Sequence, residues 1–341
     1  MKYRFSFLHF FTAFFIILTV VLFAVNMLKD IDKKNKKDDQ KQLQEEKKII
    51  EYKANETIRV KMSKTGEIIA MDINDYLRGV LPSEMPPSYN IEALKAQAIV
   101  ARTYTYRKMQ YSVEGPDCDI CDNFNHCQAF YNKEKILQIW NSRGYDENLR
   151  NEYWEKINEA VVSTQNQVIL YGGEYIKAFF HASSPEKTEN IDQIWGGEKL
   201  PYLVSVENKE SEEYENRYSR VKLSFNDFKT KLCKSDKNIN INEENVKNIC
   251  ISEYTTSGRV KNIKIGEYVL SAEKLRTILG LKSTNFKVYI QEDSVIFDVI
   301  GYGHGVGMSQ VGANYLATNG LDHKQIINFY YKGVDVVTLN K

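Results

Sequence analysis

A continuous apolar stretch near the N-terminus, residues 5–28, limits more than any other feature what this chain can fold into. A helix of about 20 apolar residues can cross a lipid bilayer, and no small-residue cleavage site of the kind that ends a signal peptide follows the stretch. We therefore predict an uncleaved transmembrane anchor over residues 5–28, with residues 1–4 in the cytoplasm and the bulk of the chain outside it. Basic side chains flank the stretch on both sides, so the positive-inside rule alone does not decide this orientation.

Residues 29–56 are rich in lysine, aspartate, glutamine and glutamate and contain no glycine or proline. Such a run is either a solvated helix or a disordered tether. We interpret it as a polar spacer between the anchor and a folded domain. The net charge of +1 gives no indication of nucleic-acid binding.

Globular patterning begins at Thr57. Two runs of alternating apolar residues shortly after it predict paired strands, and Asp72 and Asn90 are typical N-caps of helices. Helices and short strands continue to the C-terminus, which predicts an α+β fold in one large exported domain, residues 57–341. Within it, residues 208–280 contain a lysine- and asparagine-rich run and form a possible inserted or lid-like segment.

One acidic residue, Glu84, is expected in a mostly uncharged loop ahead of the second helix, stiffened by Pro82 and Pro86. Burial raises the pKa of a carboxyl group, because desolvation disfavours its charged form. A raised pKa suits a general acid near neutral pH, so Glu84 is a candidate proton donor. The alternative, which spacing alone favours, is that Glu84 caps the helix or pairs with a cation such as Arg102.

A polar loop follows the predicted strand at residues 174–180. Loops of this kind bind polar ligands or satisfy their own backbone. Its side chains could recognise the hydroxyl and acetamido groups of sugars, and the indole of Trp195 could stack on a sugar ring. The candidates with hydrogen-bonding groups are Ser183, Ser184, Lys187, Thr188 and Asn190.

A glycine-rich run surrounds His304 and precedes a helix predicted to begin at Ser309. Glycine lets the backbone approach a ligand or another segment closely. His304 could contact a substrate or bond to Glu84. A tight turn that simply needs glycine is an equally good interpretation of this run alone.

Three cysteines and one histidine fall within ten residues and match a tetrahedral zinc site in ligand type and number. Four protein ligands leave no open position, so such a metal would be structural. One disulfide with a spare thiol is the alternative in an oxidising compartment, and we favour zinc. The ligands would be Cys118, Cys121, His126 and Cys127, while Cys233 and Cys250 could form a separate disulfide.

Three motifs in this order resemble the SpoIID family, the stage II sporulation protein D family of endospore formers, which is related to the LytB amidase enhancers. The first is Leu81–Pro86 with Ala93–Tyr104, the second is Lys187–Asn190 with Trp195, and the third is Gly303–Asn314. The resemblance extends from about Thr57 to the C-terminus and includes the single N-terminal membrane segment.

This resemblance implies a lytic transglycosylase that cleaves denuded peptidoglycan strands after N-acetylmuramic acid and leaves 1,6-anhydro ends. Glu84 would be the catalytic residue, acting as acid and then as base. The implied partners are the glycan strands, the sporulation amidase (protein P) and the membrane protein M. The implied place is the mother-cell membrane, with the domain facing the septal space whose wall is remodelled during engulfment.

The resemblance also assigns possible site residues by motif membership. Clostridial members of the family resemble zinc binders with mixed histidine and cysteine ligands, and no organic cofactor is implied. Pro185 and Glu186 stand where the family pattern has a glycine pair. A non-enzymatic activator of a cell-wall amidase is the alternative function, and a zinc peptidase is disfavoured because the chain has no H-E-x-x-H pair. The substrate-binding candidates are Arg102, Ser183, Ser184, Lys187, Thr188, Asn190, Trp195, His304, Ser309 and Gln310.

Overall fold

The computed structural model describes residues 57–124, 126–236 and 238–340. The predicted anchor at residues 5–28 and the spacer at residues 29–56 lie outside the described residues. Within the described ranges, no helix is both long enough and apolar enough to cross a membrane.

Helices alternate with short strands along the described chain, which confirms the predicted α+β class. The helices are α1 (Ile73–Glu84), α2 (Ile91–Gln110), α3 (Lys133–Ser142), α4 (Glu147–Ser163), α5 (Ile191–Trp195), α6 (Phe225–Ser235), α7 (Glu243–Lys247), α8 (Ala272–Leu279), α9 (Gln310–Thr318) and α10 (His323–Tyr330). The strands are β1 (Thr57–Lys61), β2 (Ile68–Asp72), β3 (Ile120–Cys121), β4 (Gln167–Tyr171), β5 (Glu174–Tyr175), β6 (Phe180–His181), β7 (Glu186–Lys187), β8 (Glu207–Asn208), β9 (Tyr218–Ser224), β10 (Cys250–Tyr254), β11 (Val260–Ile265), β12 (Tyr268–Ser271), β13 (Phe286–Gln291), β14 (Ser294–Ile300), β15 (Met308–Ser309) and β16 (Asp335–Thr338).

Helix α2 forms the centre of the main hydrophobic core. Asn90 caps it, accepting a hydrogen bond from the Glu92 amide at 2.9 Å, as predicted. Its alanines keep the helix narrow, so that α1, α4, α9, α10 and β4 all pack against it. Most of its side chains are therefore buried, on every face of the helix.

Helix α1 is longer than the sequence predicts. Asp72 caps it as expected, but the helix continues past Val80 and through Pro82, and Glu84 is its last residue rather than part of a loop. Proline removes one backbone donor from a helix. Here the Ser83 hydroxyl donates to the Gly79 carbonyl at 2.7 Å, within the same turn.

A second hydrophobic core lies entirely between residues 225 and 299. It packs beneath two three-stranded antiparallel sheets, β13-β14-β9 and β10-β11-β12. Strand β9 pairs with β14 along its whole length, from Tyr218 opposite Ile300 to Ser224 opposite Ser294. This pairing brings residues 218 and 300 together, so the segment closes at residue 300 rather than at 280. We call residues 218–300 the insert.

Strand pairing also places the polar loop beside the glycine-rich run. Strand β6 runs parallel to β15. Ser183 forms a bridge with Tyr302, and Glu189 forms one with Val306. Two motifs more than a hundred residues apart therefore form one surface.

Candidate active site

A glycine on α1 brings a backbone donor to Glu84. Gly79 faces Phe130, and an added Cβ would lie 2.4 Å from the Phe130 ring and 2.5 Å from the Tyr131 carbonyl. Without a side chain at this position, the segment of residues 129–131 lies directly against α1. The Ala129 amide then donates to Glu84 Oε1 at 3.0 Å.

The Glu84 carboxyl is half-buried at the end of α1. Desolvation raises its pKa from the usual 4.5 to about 7, and the hydrogen bond from Ala129 only partly opposes this shift. Within residues 57–124, 126–236 and 238–340, the carboxyl forms no ion pair and accepts no other hydrogen bond. It therefore exists as a mixture of acid and base near neutral pH, which is the property of a group that both donates and accepts a proton.

Arg102, predicted as a substrate-binding residue, does not contact Glu84 and bonds to groups of the protein itself. Its side chain is fully buried. The guanidinium donates to the carbonyls of Thr164 at 2.7 Å and Val161 at 3.3 Å, at the C-terminal end of α4, and to Asn74 Oδ1 at 3.3 Å. Arg102 thus binds carbonyls that the helix leaves without an internal partner, and it is out of reach of a ligand.

The serines predicted to bind a substrate form hydrogen bonds to a carboxylate of the protein itself. Ser183 Oγ donates to Glu210 Oε2 at 2.5 Å, and Ser309 Oγ and the Ser184 amide donate to Glu210 Oε1 at 2.5 and 2.6 Å. Asn208 Nδ2 adds a fourth donor at 2.8 Å. Glu210 and all three serines are buried, so this group joins the polar loop to the glycine-rich run. The sequence gives no local signal for Glu210, because it belongs to no motif.

The remaining polar-loop candidates divide between the interior and the surface. Thr188 is buried, and its hydroxyl accepts a backbone hydrogen bond at 2.9 Å. Asn190 Oδ1 accepts from the Ser205 amide at 2.9 Å. Lys187 is exposed and pairs with Glu207 at 3.0 Å. Lys187 is therefore the one of these three side chains that is exposed to solvent.

Side chains at the start of α9 fasten the glycine-rich run to α2. Gln310 is buried, and its Nε2 lies 3.5 Å from Gln97 Oε1 on α2. Asn314 Oδ1 accepts from the Asn90 amide at 2.8 Å. Since Asn90 lies six residues after Glu84, this contact ties the third motif to the loop that follows the candidate acid.

Three rings form an aromatic platform, made of Phe179, Trp195 and His304. The Trp195 ring centroid lies 4.9 Å from that of Phe179 and 5.0 Å from that of His304. Trp195 is 48% exposed, so part of its indole can stack on a ligand. His304 Nδ1 accepts the Val306 amide at 3.0 Å, and within the described residues no hydrogen bond joins His304 to Glu84.

A hairpin tip of the insert contacts both the polar loop and the glycine-rich run. Arg259, between β10 and β11, is buried; it donates to Ser184 Oγ at 2.7 Å and to the Gly303 carbonyl at 3.3 Å. Gly305 has a φ of +85°, which residues with a side chain rarely adopt, and an added Cβ would lie 2.6 Å from the guanidinium carbon, so glycine is favoured there. Burial, with the charges of Arg276 and Arg259, lowers the pKa of His304 to about 3 and keeps the ring neutral.

The candidate metal centre contains Glu114 where the sequence predicts Cys118. One ligand atom each from Glu114, Cys121, His126 and Cys127 lies within 4.8 Å of the others. Residues 119–122 run extended along β1, and residues three apart in an extended segment project to opposite sides. Cys118 is not one of these four residues, and its sulfur lies 3.9 Å from the Glu114 carbonyl.

These four groups fit a zinc ion in chemistry, and the distances from the histidine nitrogen suit one. His126 Nδ1 is 3.2 Å from Glu114 Oε2 and 3.5 Å from Cys121 Sγ. Ligand atoms about 3.3–3.8 Å apart are expected around tetrahedral zinc with bonds of about 2.0–2.3 Å. The two sulfurs, of Cys121 and Cys127, are closer, at 2.9 Å. Lys108 Nζ lies 2.6 Å from Glu114 and would offset the excess negative charge of two thiolates and a carboxylate around the ion.

Cys233 and Cys250 carry free thiols in this structure. The separate disulfide suggested for them from sequence is not formed. Cys250 begins β10 and is exposed, whereas Cys233 lies on α6.

The described residues form an α+β domain that contains the Glu84 carboxyl with its raised pKa, a partly exposed aromatic platform and a cluster of four groups that could bind a metal ion. Residues 61–171 match the model of the SpoIID family, described as a stage II sporulation protein. The chain is 32% identical over 267 residues to stage II sporulation protein D of Bacillus subtilis (strain 168), covering 77% of this chain and 74% of that protein. The chain therefore belongs to the SpoIID family.

Two further relatives show how widely this domain occurs. An uncharacterized protein of Brachyspira hyodysenteriae (strain ATCC 49526 / WA1) is 32% identical over 274 residues, which is 80% of this chain and 68% of that one. The amidase enhancer of Bacillus subtilis (strain 168) is 27% identical over 312 residues, with 77% of this chain and 40% of that protein covered.

Proposed function

We propose that this protein is a membrane-anchored lytic transglycosylase that cleaves denuded peptidoglycan strands after N-acetylmuramic acid. The observation that carries the proposal is the Glu84 carboxyl, whose pKa of about 7 results from burial without an ionic partner. One such group is sufficient for this reaction, whereas ordinary glycoside hydrolysis uses two carboxylates.

The proposed reaction returns Glu84 to its starting state without consuming water. Protonated Glu84 donates its proton to the glycosidic oxygen, and the bond between that oxygen and C1 of N-acetylmuramic acid breaks. The C6 hydroxyl of the same sugar attacks C1, and Glu84, now a carboxylate, accepts the hydroxyl proton. The new C1–O6 bond closes the 1,6-anhydro ring. The Ala129 amide holds Glu84 Oε1 in place, which supports proton transfer through the other oxygen.

Platform residues would position the sugar. The exposed part of Trp195 offers an apolar face to a pyranose ring, and the neutral His304 beside it can exchange hydrogen bonds without carrying charge. Lys187, exposed on β7, could pair with the carboxylate of N-acetylmuramic acid.

We further propose that Glu114, Cys121, His126 and Cys127 hold a structural zinc ion. When bound, zinc would cross-link the segment of residues 114–127. That segment leads directly into Ala129, whose amide contacts Glu84. The chain's own residues would carry out the chemistry, and the ion would hold the donor segment in place.

The proposed setting follows from family membership and from the apolar N-terminal stretch. We propose a single-pass protein of the mother-cell membrane with its domain in the septal space, which removes septal wall during engulfment. Its partners would be the sporulation amidase (protein P), which strips stem peptides from the glycan, and the membrane protein M.

Product analysis tests the reaction directly. We expect the purified domain to release 1,6-anhydro muropeptides from denuded strands, as measured by mass spectrometry, and Glu84→Gln to abolish release while leaving strand binding intact. Glu155→Gln, which changes an exposed carboxylate on α4, is the matched control and should be fully active. Products with reducing ends instead of anhydro ends would identify a hydrolase and refute the transglycosylase.

A second candidate is a glycan-binding activator of an amidase, favoured by the likeness to the amidase enhancer. In this case the wild-type protein would cleave no glycan. Glu84→Gln would then stimulate a purified sporulation amidase as well as the wild type does. Stimulation that disappears together with glycan cleavage would instead support the enzyme.

A further inference from the structure

Four tyrosines from separate segments carry no role in the site described above. We call Tyr89, Tyr214, Tyr302 and Tyr218 the tyrosine track. Tyr302 is 42% and Tyr218 62% exposed, and the other two are half-buried. Large rings with this exposure offer flat apolar faces that end in a hydroxyl group.

Direct contacts place Tyr302 beside the segment that contains Tyr214. Lys282 Nζ lies 5.5 Å from the centroid of the Tyr302 ring and also bonds to Asn216 Oδ1. The Arg217 amide donates to the Tyr214 carbonyl at 2.9 Å. The two tyrosines are therefore joined through one lysine and one tight turn.

Arg217 extends the track to Tyr218. Its carbonyl accepts from the Gly301 amide at 2.8 Å, next to Tyr302. Its guanidinium carbon lies 5.6 Å from the centroid of the Tyr218 ring, and its Nε is 3.3 Å from the Tyr218 hydroxyl. Tyr218 thus lies where the insert joins the main domain.

At the other end, the track approaches Glu84. Tyr89 follows Glu84 by five residues. The next residue, Asn90, donates its amide hydrogen to Asn314 Oδ1 at 2.8 Å, which ties this loop to the motif that follows Tyr302. The track therefore begins at the loop that leaves the candidate acid.

Beyond Tyr218 lies a groove of about 490 Å³ on the outer face of the β13-β14-β9 sheet. Arg220 and Lys287 bring two positive charges to it, and Asp298, which pairs with Arg220 at 2.6 Å, brings one negative charge. The groove is therefore cationic on balance and has a tyrosine at its edge.

We infer that the tyrosine track and this groove bind sugar units of a glycan strand beyond those at Glu84, so that the protein prefers long denuded strands to short oligosaccharides. This inference rests on the proposed function. Tyrosine faces suit pyranose rings, and Lys282, Arg220 and Lys287 suit the carboxylate that each N-acetylmuramic acid retains after its stem peptide is removed. Continuity with the loop after Glu84 favours a glycan over a protein partner.

Binding by a catalytically silent protein tests the inference separately from the reaction. Two proteins are compared: the Glu84→Gln variant and the same variant with Tyr218→Ala and Tyr302→Ala added. For each, the affinity is measured for denuded strands and for a denuded tetrasaccharide. We expect about a tenfold loss for strands and no loss for the tetrasaccharide. Tyr111→Ala is the matched control, because Tyr111 is also a tyrosine, 53% exposed and stacked under an arginine, Arg107 at 4.7 Å.

Two results would overturn the inference. One is an unchanged affinity for strands, and the other is an equal loss for strands and tetrasaccharide, which would place the rings in the central site. Near-ultraviolet circular dichroism shows whether each variant is folded, and Tyr218→Phe with Tyr302→Phe, which keeps both rings, should retain most of the affinity. Failure of the wild type to cleave strands would refute the proposed reaction but leave this comparison of affinities valid.

Discussion

At the scale of single residues, the state of Glu84 depends on contacts that are distant in sequence. Its motif identifies it as the candidate acid. Its pKa, however, depends on its burial and on the amide of Ala129, and the segment that carries this amide lies against α1 where Gly79 has no side chain. None of these contacts follows from the spacing around Glu84.

The raised pKa of Glu84 has a measurable consequence for stability. Since the folded pKa of about 7 exceeds the usual 4.5, the native state binds more protons than the unfolded state between these values, and stability falls as the pH rises through them. We expect Glu84→Gln to be more stable than the wild type at pH 8, by on the order of 1–3 kcal/mol, and not at pH 4. Urea unfolding at both pH values measures the difference, and the exposed Glu155→Gln should show none.

The same shift sets the pH dependence of the proposed reaction. The first step needs protonated Glu84, so kcat/KM should fall as the pH rises through about 7. A profile that remains flat from pH 5 to pH 9 would contradict the proposed role of this residue.

The serines illustrate where local sequence reasoning fails. Polar residues in a loop resemble ligand-binding groups, and the sequence predicts this role for Ser183, Ser184 and Ser309. Their partner is Glu210, which follows Ser183 by 27 residues and is buried with them. Because a buried carboxylate needs several donors, the serines satisfy the protein itself, and only the three-dimensional fold shows this.

At the scale of elements, hairpins and short extended segments position the site more than the helices do. The caps at Asp72 and Asn90 were predicted correctly, since a capping side chain acts within its own turn. The hairpin tip at Arg259 was missed, because its partners, Ser184 and Gly303, belong to other motifs.

Replacing Arg259 should remove its hydrogen bonds to the two loops and raise the pKa of His304. Arg259→Met removes a charge that lowers the pKa of His304, so we expect this pKa to rise, as measured by NMR titration of the ring, together with a fall in kcat. Lys261→Met, at an exposed ion pair with Glu253 on the same hairpin, is the matched control. An unchanged His304 titration in a folded Arg259→Met protein would show that the contact does not position this ring.

The cysteine segment yields a discriminating pair of variants. We expect Cys121→Ser to lose bound zinc and Cys118→Ser to retain it, because only Cys121 lies with Glu114, His126 and Cys127. Metal content after dialysis measures this, and the loss of zinc should also lower the melting temperature. Equal zinc loss in both variants would restore the ligand set predicted from sequence.

At the scale of the whole molecule, the described chain has two hydrophobic cores, and loop contacts such as those of Arg259 with Ser184 and Gly303 join the insert to the rest. The sequence predicts an insert, because its polar composition stands out. It does not predict the boundary at residue 300, which depends on the pairing of β9 with β14. Composition does not predict which distant strands pair, so it does not give this boundary.

We expect the two cores to unfold together. Phe297 is fully buried in the insert, where its ring centroid lies 5.4 Å from that of Phe286, and Phe297→Ala should cost about 3–5 kcal/mol. All three tryptophans lie outside the insert, so their fluorescence reports on the main core. If Phe297→Ala shifts the urea midpoint equally in tryptophan fluorescence and in circular dichroism, the two cores unfold as one unit. Two separate transitions would show that they unfold independently.

The extension of α1 through Pro82 places Glu84 at the C-terminal end of a helix. The aligned peptide dipoles of a helix give this end a partial negative charge. An ionised carboxylate there is opposed by about 0.3–1 kcal/mol, in the same direction as the effect of burial. Had the helix stopped at Val80, Glu84 would have lost this contribution. The additional turn of helix, residues 81–84, therefore also favours the protonated form of its last residue.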